Sequence, residues 1–132
     1  MKNFIKILIV FFSIGMTLQG FAQEEEKNGP KIKFEEESHS FGDVKQGEKV
    51  SHKFTFKNTG NQPLVLSNVL SSCGCTVTEW PKEPIQPGKS SEIEVKFNST
   101  NRMGKENKVI TIFSNAITPQ TRIKITATVV ES

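Results

Sequence analysis

The chain has 132 residues and a formal net charge of +3, and it contains only two cysteines and two histidines. This length suits one domain with one hydrophobic core. The basic residues form no dense cluster, which argues against a surface that follows a phosphate backbone and excludes nucleic acid as the expected partner. Asp43 is the only aspartate, and neither a hydrolytic triad nor a glycine-rich phosphate loop is present. The sequence therefore predicts no catalytic residues and no enzyme activity.

Residues 1–22 predict a secretory signal peptide that is cleaved. Lys2 and Lys6 provide a basic start, an apolar run covers residues 7–18, and small residues precede a cleavage site after Ala22. The run is short for a membrane anchor, and Gln23 rather than a cysteine follows the site. We therefore expect a periplasmic or secreted protein that has no membrane association after cleavage.

Residues 23–31 predict a flexible acidic linker, because three consecutive glutamates precede an Asn-Gly-Pro sequence. The remaining residues, 32–132, are expected to form the folded domain.

Alternation of apolar and polar residues runs through this domain and is typical of strands with one buried face. Residues 92–97 and 122–129 show it most clearly. Residues 64–70 and 109–113 are apolar on both faces, which predicts more central strands. Segments rich in Asn, Gly and Pro separate these runs, and no segment has helical spacing with caps. The pattern predicts an all-β antiparallel sandwich of about seven strands.

A string of motifs resembles a family of exported bacterial proteins that is known as a domain of unknown function. The motifs are Phe-Gly-Asp-Val at 41–44, Phe-Thr-Phe-Lys-Asn-Thr-Gly at 54–60, Ser-Cys-Gly-Cys-Thr at 72–76 and Pro-Ile-Gln-Pro-Gly at 84–88. The family is related to the immunoglobulin-like domains of major sperm protein and of the ASH and Hydin type. The resemblance covers roughly residues 32–130. It implies an all-β, immunoglobulin-like sandwich and a role as a protein-binding module, as in many relatives, and it implies no catalytic residues.

Cys73 and Cys75 are separated only by Gly74 in a chain that is expected to be exported. In an extended strand their Cα atoms would be nearly 7 Å apart, which is the long limit for a disulfide, so we expect Gly74 to permit a kinked backbone. A bridge across one residue closes a small, strained ring and should be easily reduced. The alternatives are a local disulfide, metal binding, and packing without chemistry.

Metal binding through the cysteine pair requires the reduced form, in which two thiolates suit Cu(I) or half of a zinc site. Zinc would need further ligands from His39, His52 or Glu79, and Met103 is a third-ligand candidate for copper. Each histidine has the strand parity of apolar neighbours, which favours a structural, hydrogen-bonded role over ligation.

These observations predict a non-catalytic module without a resident cofactor that binds an envelope or extracellular protein or serves a structural role. The alternative is a thiol-based protein that binds Cu(I) or zinc, or carries out redox chemistry, through Cys73 and Cys75.

Overall fold

The computed structural model describes residues 28–132, and these residues form two four-stranded sheets without a helix. The predicted signal peptide and residues 23–27 of the predicted linker lie outside the described residues. No helix in this part of the chain is long and apolar enough to cross a membrane. The strands in chain order are β1 (Ile32–Phe34), β2 (Ser38–Lys45), β3 (Lys49–Asn58), β4 (Leu66–Ser71), β5 (Thr76–Glu79), β6 (Ser90–Asn98), β7 (Gly104–Ser114) and β8 (Gln120–Val130).

One sheet has the order β1-β3-β6-β5 and the other has the order β2-β8-β7-β4. All neighbours are antiparallel except β2 and β8, which are parallel and have an irregularity between Ser40 and Asp43. The predicted all-β, immunoglobulin-like sandwich is confirmed, with eight strands in the described residues.

The core lies between the two sheets and is formed by the apolar residues of the alternating patterns. On β6, Ile93, Val95 and Phe97 are buried, whereas Lys96 is exposed. The same alternation holds on β8, where buried residues start at Ile123 and recur at every second position up to Val129. The period-two pattern therefore identified the inner face of both sheets.

The apolar sequence of residues 64–70 predicted a central strand, and this is wrong. The strand in this segment is β4, which lies at the edge of its sheet. Its register on β7 shifts between Leu66 and Asn68, so its residues do not alternate strictly between the two faces. Leu66 and Val69 are buried, whereas Leu70 is 51% exposed. The apolar content of β4 therefore partly covers the core and partly faces outward.

The folded domain also begins earlier than residue 32. Gly29 and Pro30 are buried, and the Pro30 carbonyl accepts a hydrogen bond from the Ile117 amide at 3.0 Å. A side chain at Gly60 would meet the Gly29 carbonyl oxygen at 2.1 Å, so this glycine permits the close approach of the two segments. The end of the predicted linker is part of the domain because its backbone bonds to the domain.

Candidate functional site

The two cysteines lie in the connection between β4 and β5, residues 72–75, which we call the disulfide loop. Their sulfur atoms are bonded to each other, and the Cα atoms are 5.3 Å apart. The chain bends here because the Thr76 amide donates a hydrogen bond to the Cys73 carbonyl at 3.3 Å. Ser71 holds the entry to the loop, since its hydroxyl donates to the same carbonyl at 3.0 Å.

Gly74 is not required for this bend in the way the sequence suggested. It is absent from the described glycines with positive φ, and a Cβ atom built on it meets nothing within 4 Å. The bend comes from the turn that contains the bridge, and a larger residue has both the space and the backbone conformation it needs.

The Cys73 sulfur receives two hydrogen bonds. The guanidinium of Arg102 donates from Nη2 at 3.3 Å, and the backbone amide of Cys75 donates at 3.0 Å. The Cys75 sulfur has only a 3.8 Å contact with the Thr76 hydroxyl. The two ends of the bridge therefore have different electrostatic surroundings, with the positive charge on the Cys73 side.

Arg102 is held in place by the turn that connects β6 to β7. Its amide donates to the Ser99 carbonyl, and the side-chain amide of Gln46 donates to the Arg102 carbonyl, both at 3.0 Å. The buried Ser99 is fixed in turn, since its hydroxyl donates to the Glu48 carbonyl at 2.7 Å. Among residues 28–132, no carboxylate forms an ion pair with Arg102. The positive charge beside Cys73 is therefore not neutralised within this part of the chain.

The disulfide contributes little to stability, because it closes a loop of only three residues. In the loop-entropy description, such a short loop is worth about 1–2 kcal/mol, compared with about 3 kcal/mol for a loop of fifteen residues. Both cysteines are half-buried, so the bridge is also within reach of solvent. A structural staple is therefore a weak explanation for the pair.

A groove of about 340 Å³ lies beside the Cys75 end of the bridge. Its lining includes Cys75, Val50, Lys49 and Lys96. Lys96 is paired with Glu79 at 3.2 Å, so its charge is compensated, and Lys49 is the other cation that lines the groove. A group that approaches through the groove reaches the Cys75 side of the bridge.

Glu36, His39 and His52 form a second group of titratable residues, which we call the histidine cluster. The rings of His39, on β2, and His52, on β3, are stacked with centroids 3.6 Å apart. His52 donates from Nε2 to the Glu36 carboxylate. Phe41 and Phe54 pack with their rings roughly perpendicular to His39 and His52, respectively. The half-buried, hydrogen-bonded environment that the sequence predicted for His52 is confirmed.

The pKa of His39 lies below its ordinary value of 6.5, first because burial disfavours the charged ring and second because His52 is adjacent. The Glu36 carboxylate acts in the opposite direction and limits the decrease. Burial and the adjacent His52 therefore favour the neutral form of His39.

The ligands considered for zinc are not assembled with the cysteines. Within the described residues, the one group of three ligand-type side chains whose donor atoms lie within 4.8 Å of one another is the histidine cluster, which includes neither cysteine. Glu79 forms an ion pair with Lys96 at 3.2 Å, and Met103 is exposed. Because the sulfurs are bonded to each other, neither is a thiolate in this structure. The Cu(I) or zinc site at Cys73 and Cys75 stays a prediction for the reduced protein.

Sequence reasoning missed Arg102 and Glu36. Arg102 is 29 positions from Cys73 and lies in a turn, so no periodic pattern links the two residues. Glu36 lies in the connection between β1 and β2, among three consecutive glutamates that the sequence does not distinguish. Tertiary contact alone identifies these two residues.

Three comparisons with known structures concern the fold. A protein of unknown function from Porphyromonas gingivalis W83 is similar with a TM-score of 0.67 and 20% identity, over 76% of this chain and 47% of that one. The ASH/PapD-like domain 7 of human CEP192 has a TM-score of 0.64 and 10% identity, over 77% and 87% of the two chains. The secreted serine protease VesC from Vibrio cholerae has a TM-score of 0.56 and 18% identity, over 78% and 23%.

At these identities the similarities establish the fold alone, and they agree with the resemblance to ASH-type domains. This chain spans about half of the Porphyromonas gingivalis protein. Among curated proteins, no match to the chain was found. The family described as protein of unknown function, DUF1573, matches residues 32–129, and the chain therefore belongs to the DUF1573 family.

Proposed function

We propose that this protein is a non-catalytic module that binds another protein by accepting a strand of that partner at the open edge of β4. The observation that carries the proposal is that β4 is an edge strand without a charged residue or a proline and with an exposed leucine. Unprotected edges offer unpaired backbone donors and acceptors to another chain.

The other edges in the described residues are protected. β1 has three residues and includes Lys33, and β5 has four residues and ends at Glu79. β2 contains Asp43 and Lys45 together with an irregular register. Short length and charge each disfavour pairing with a further strand. The register of β4 also shifts, between Leu66 and Asn68, but β4 is the edge in the described residues that has no charged residue, so it best fits this mode of binding.

An exposed apolar side chain on β4, with a second one behind it on β7, supplies a contact for the partner's side chains. Leu70 and Val109 are 51% and 38% exposed. Leu70 is paired with Thr111, so Val109 is its diagonal neighbour on the outer face of the sheet. A partner strand with apolar residues at alternate positions would cover Leu70 while its backbone bonds to β4.

The resemblance to ASH-type modules supports protein binding, and the expected export suggests an envelope or extracellular partner. A non-catalytic role agrees with membership in a family for which no reaction is described. The alternative is a structural module without a specific partner, and the same experiment tests it.

The test uses a matched pair of charged substitutions on two edges. Leu70→Lys adds a positive charge on β4, and Ser38→Lys adds one at an exposed position of β2. We would identify a partner by affinity capture with the full-length exported protein and then measure its affinity by titration calorimetry. We expect Leu70→Lys to weaken binding at least tenfold, because binding would then remove the new lysine charge from water without giving it a partner. Ser38→Lys should have little effect on the affinity. Equal affinities for the two variants would contradict binding at β4, and the absence of any saturable partner would favour the structural role.

A further inference from the structure

The surroundings of the disulfide loop point to a stoichiometric redox reaction of the bridge, in addition to the non-catalytic binding of a protein. The bridge links two sulfurs that differ in charge environment, since Arg102 and the Cys75 amide both donate to Cys73. Cationic and amide donors beside a sulfur stabilise its thiolate and lower the pKa of the thiol. A thiol that is stabilised as a thiolate leaves faster in thiol–disulfide exchange.

The charge beside Cys73 is positioned before any reaction occurs. The Arg102 backbone is fixed by Ser99 and Gln46 on its two sides, and its side chain forms no ion pair among the described residues. An oriented charge that is already next to the bridge stabilises a developing thiolate without reorganisation of the protein.

Access to the bridge is provided at its other end. Cys75 lines the groove that also contains Lys49, and this lysine would attract an incoming thiolate, whereas Lys96 is paired with Glu79. Attack on the Cys75 sulfur makes Cys73 the leaving group, which is the sulfur that Arg102 stabilises. The attacking thiolate therefore reaches one end of the bridge, Cys75, and the leaving thiolate forms at the other end, Cys73.

We infer that the Cys73–Cys75 disulfide oxidises a dithiol of another polypeptide, with Cys73 as the leaving thiolate and Arg102 as the residue that stabilises it. A partner thiolate attacks Cys75, the bond between the two cysteines breaks, and its electron pair passes to Cys73. The partner's second thiolate then attacks the partner's first sulfur and expels Cys75. The partner ends as a disulfide and has lost two electrons and two protons, and the cysteine pair ends as two thiols.

Dithiothreitol serves as the probe dithiol for the full-length exported protein. Its rate of reduction of the bridge is measured by acid quenching, thiol alkylation and intact mass, in the wild type and in Arg102→Gln, Arg102→Lys and Arg122→Gln. Arg122 is exposed on β8, and its substitution is the matched control for loss of one guanidinium. We expect Arg102→Gln to slow reduction about tenfold, Arg102→Lys to restore part of the rate, and Arg122→Gln to leave the rate unchanged. An unchanged rate in Arg102→Gln would overturn the inference.

A second measurement separates the role of Arg102 in thiolate stabilisation from a structural role. In the reduced protein, the alkylation rate of each cysteine is followed against pH by peptide mass spectrometry. We expect Cys73 to react at lower pH than Cys75 and Arg102→Gln to remove this difference, with an unchanged circular dichroism spectrum. A lower apparent pKa for Cys75 would overturn the assignment. Leu70→Lys should not change the dithiothreitol reaction, so failure of the proposed β4 contact and failure of this inference are distinguishable.

Discussion

The histidine cluster and the disulfide loop both bring reactive side chains together, but they differ in how well the contacts of those side chains match their chemical state. In the histidine cluster, the His52 ring stacks on His39, packs against Phe54 and donates a hydrogen bond to Glu36. In the disulfide loop, the cation of Arg102 is directed at a bonded sulfur that carries no negative charge.

The difference shows that residue type alone does not identify a reactive site. Burial favours the neutral form of His39, and His52 has a hydrogen-bond partner in Glu36, which is the arrangement expected of structural residues. Cys73 has partners that suit a thiolate better than a disulfide sulfur, so its surroundings match a state that exists only after reduction. Complementarity to a later chemical state, rather than to the present one, favours chemistry at the disulfide loop.

The largest expected effect concerns the core, because both groups depend on it for their positions. Ile93 is fully buried on β6, opposite Phe54. Ile93→Asp should lower the free energy of unfolding by about 3–5 kcal/mol, since it buries an unpaired charge. Lys57→Asp is the control, because Lys57 is exposed and lies opposite Lys33, and we expect a change within about 0.5 kcal/mol. Chemical denaturation measures both, and similar losses would contradict the assignment of the inner face.

The next effect tests whether the histidine cluster is structural. His52→Ala removes the ring stacking, the contact with Phe54 and the hydrogen bond to Glu36, and should cost about 2 kcal/mol. The adjacent Lys53 is exposed, and Lys53→Ala should cost less than about 0.5 kcal/mol. Urea denaturation measures both free energies of unfolding. Equal losses for His52→Ala and Lys53→Ala would contradict a structural role of the histidine cluster.

Much of the fold could be predicted from local pattern, and the candidate site could be predicted only in part. Alternation along β6 identified Ile93, Val95 and Phe97 as inward residues because the pleat of a strand imposes a period of two. The same reasoning placed residues 64–70 in the interior of a sheet, and this was wrong because position within a sheet depends on non-local pairing and not on local hydropathy. The adjacency of Cys73 and Cys75 was visible in the sequence, but Arg102 reaches Cys73 only through the tertiary fold.

A smaller effect tests the view that the disulfide is not a staple. The double substitution Cys73→Ser with Cys75→Ser should lower the free energy of unfolding by only about 1–2 kcal/mol, because the bridge closes a three-residue loop. Gly74→Ala should retain the bridge and stay within about 0.5 kcal/mol of the wild type, since the space around this position is open. Thermal and urea unfolding are suitable measurements. A loss comparable to that of Ile93→Asp would show that the bridge holds the fold and would weaken its assignment to chemistry.

The smallest effect is a dependence of stability on pH that comes from His39. Burial and the adjacent His52 lower the pKa of His39 in the folded protein, whereas Glu36 partly offsets this decrease. Between the lowered pKa and the unfolded value of 6.5, the unfolded chain binds more protons, so stability falls as the pH falls through this interval. The contribution of the neutral ring is fully present above about pH 6.5.

Urea midpoints measured from pH 8 to pH 5 would show this decrease, and NMR titration of the His39 ring would give its pKa directly. His39→Gln removes the titrating group and should flatten its share of the slope, whatever the change does to stability at pH 8. In the wild type, stability that rises on acidification through this interval would mean that Glu36 outweighs burial and His52. The cluster would then favour the charged form of His39. The histidine cluster would no longer differ from the disulfide loop in having contacts that match its present chemical state.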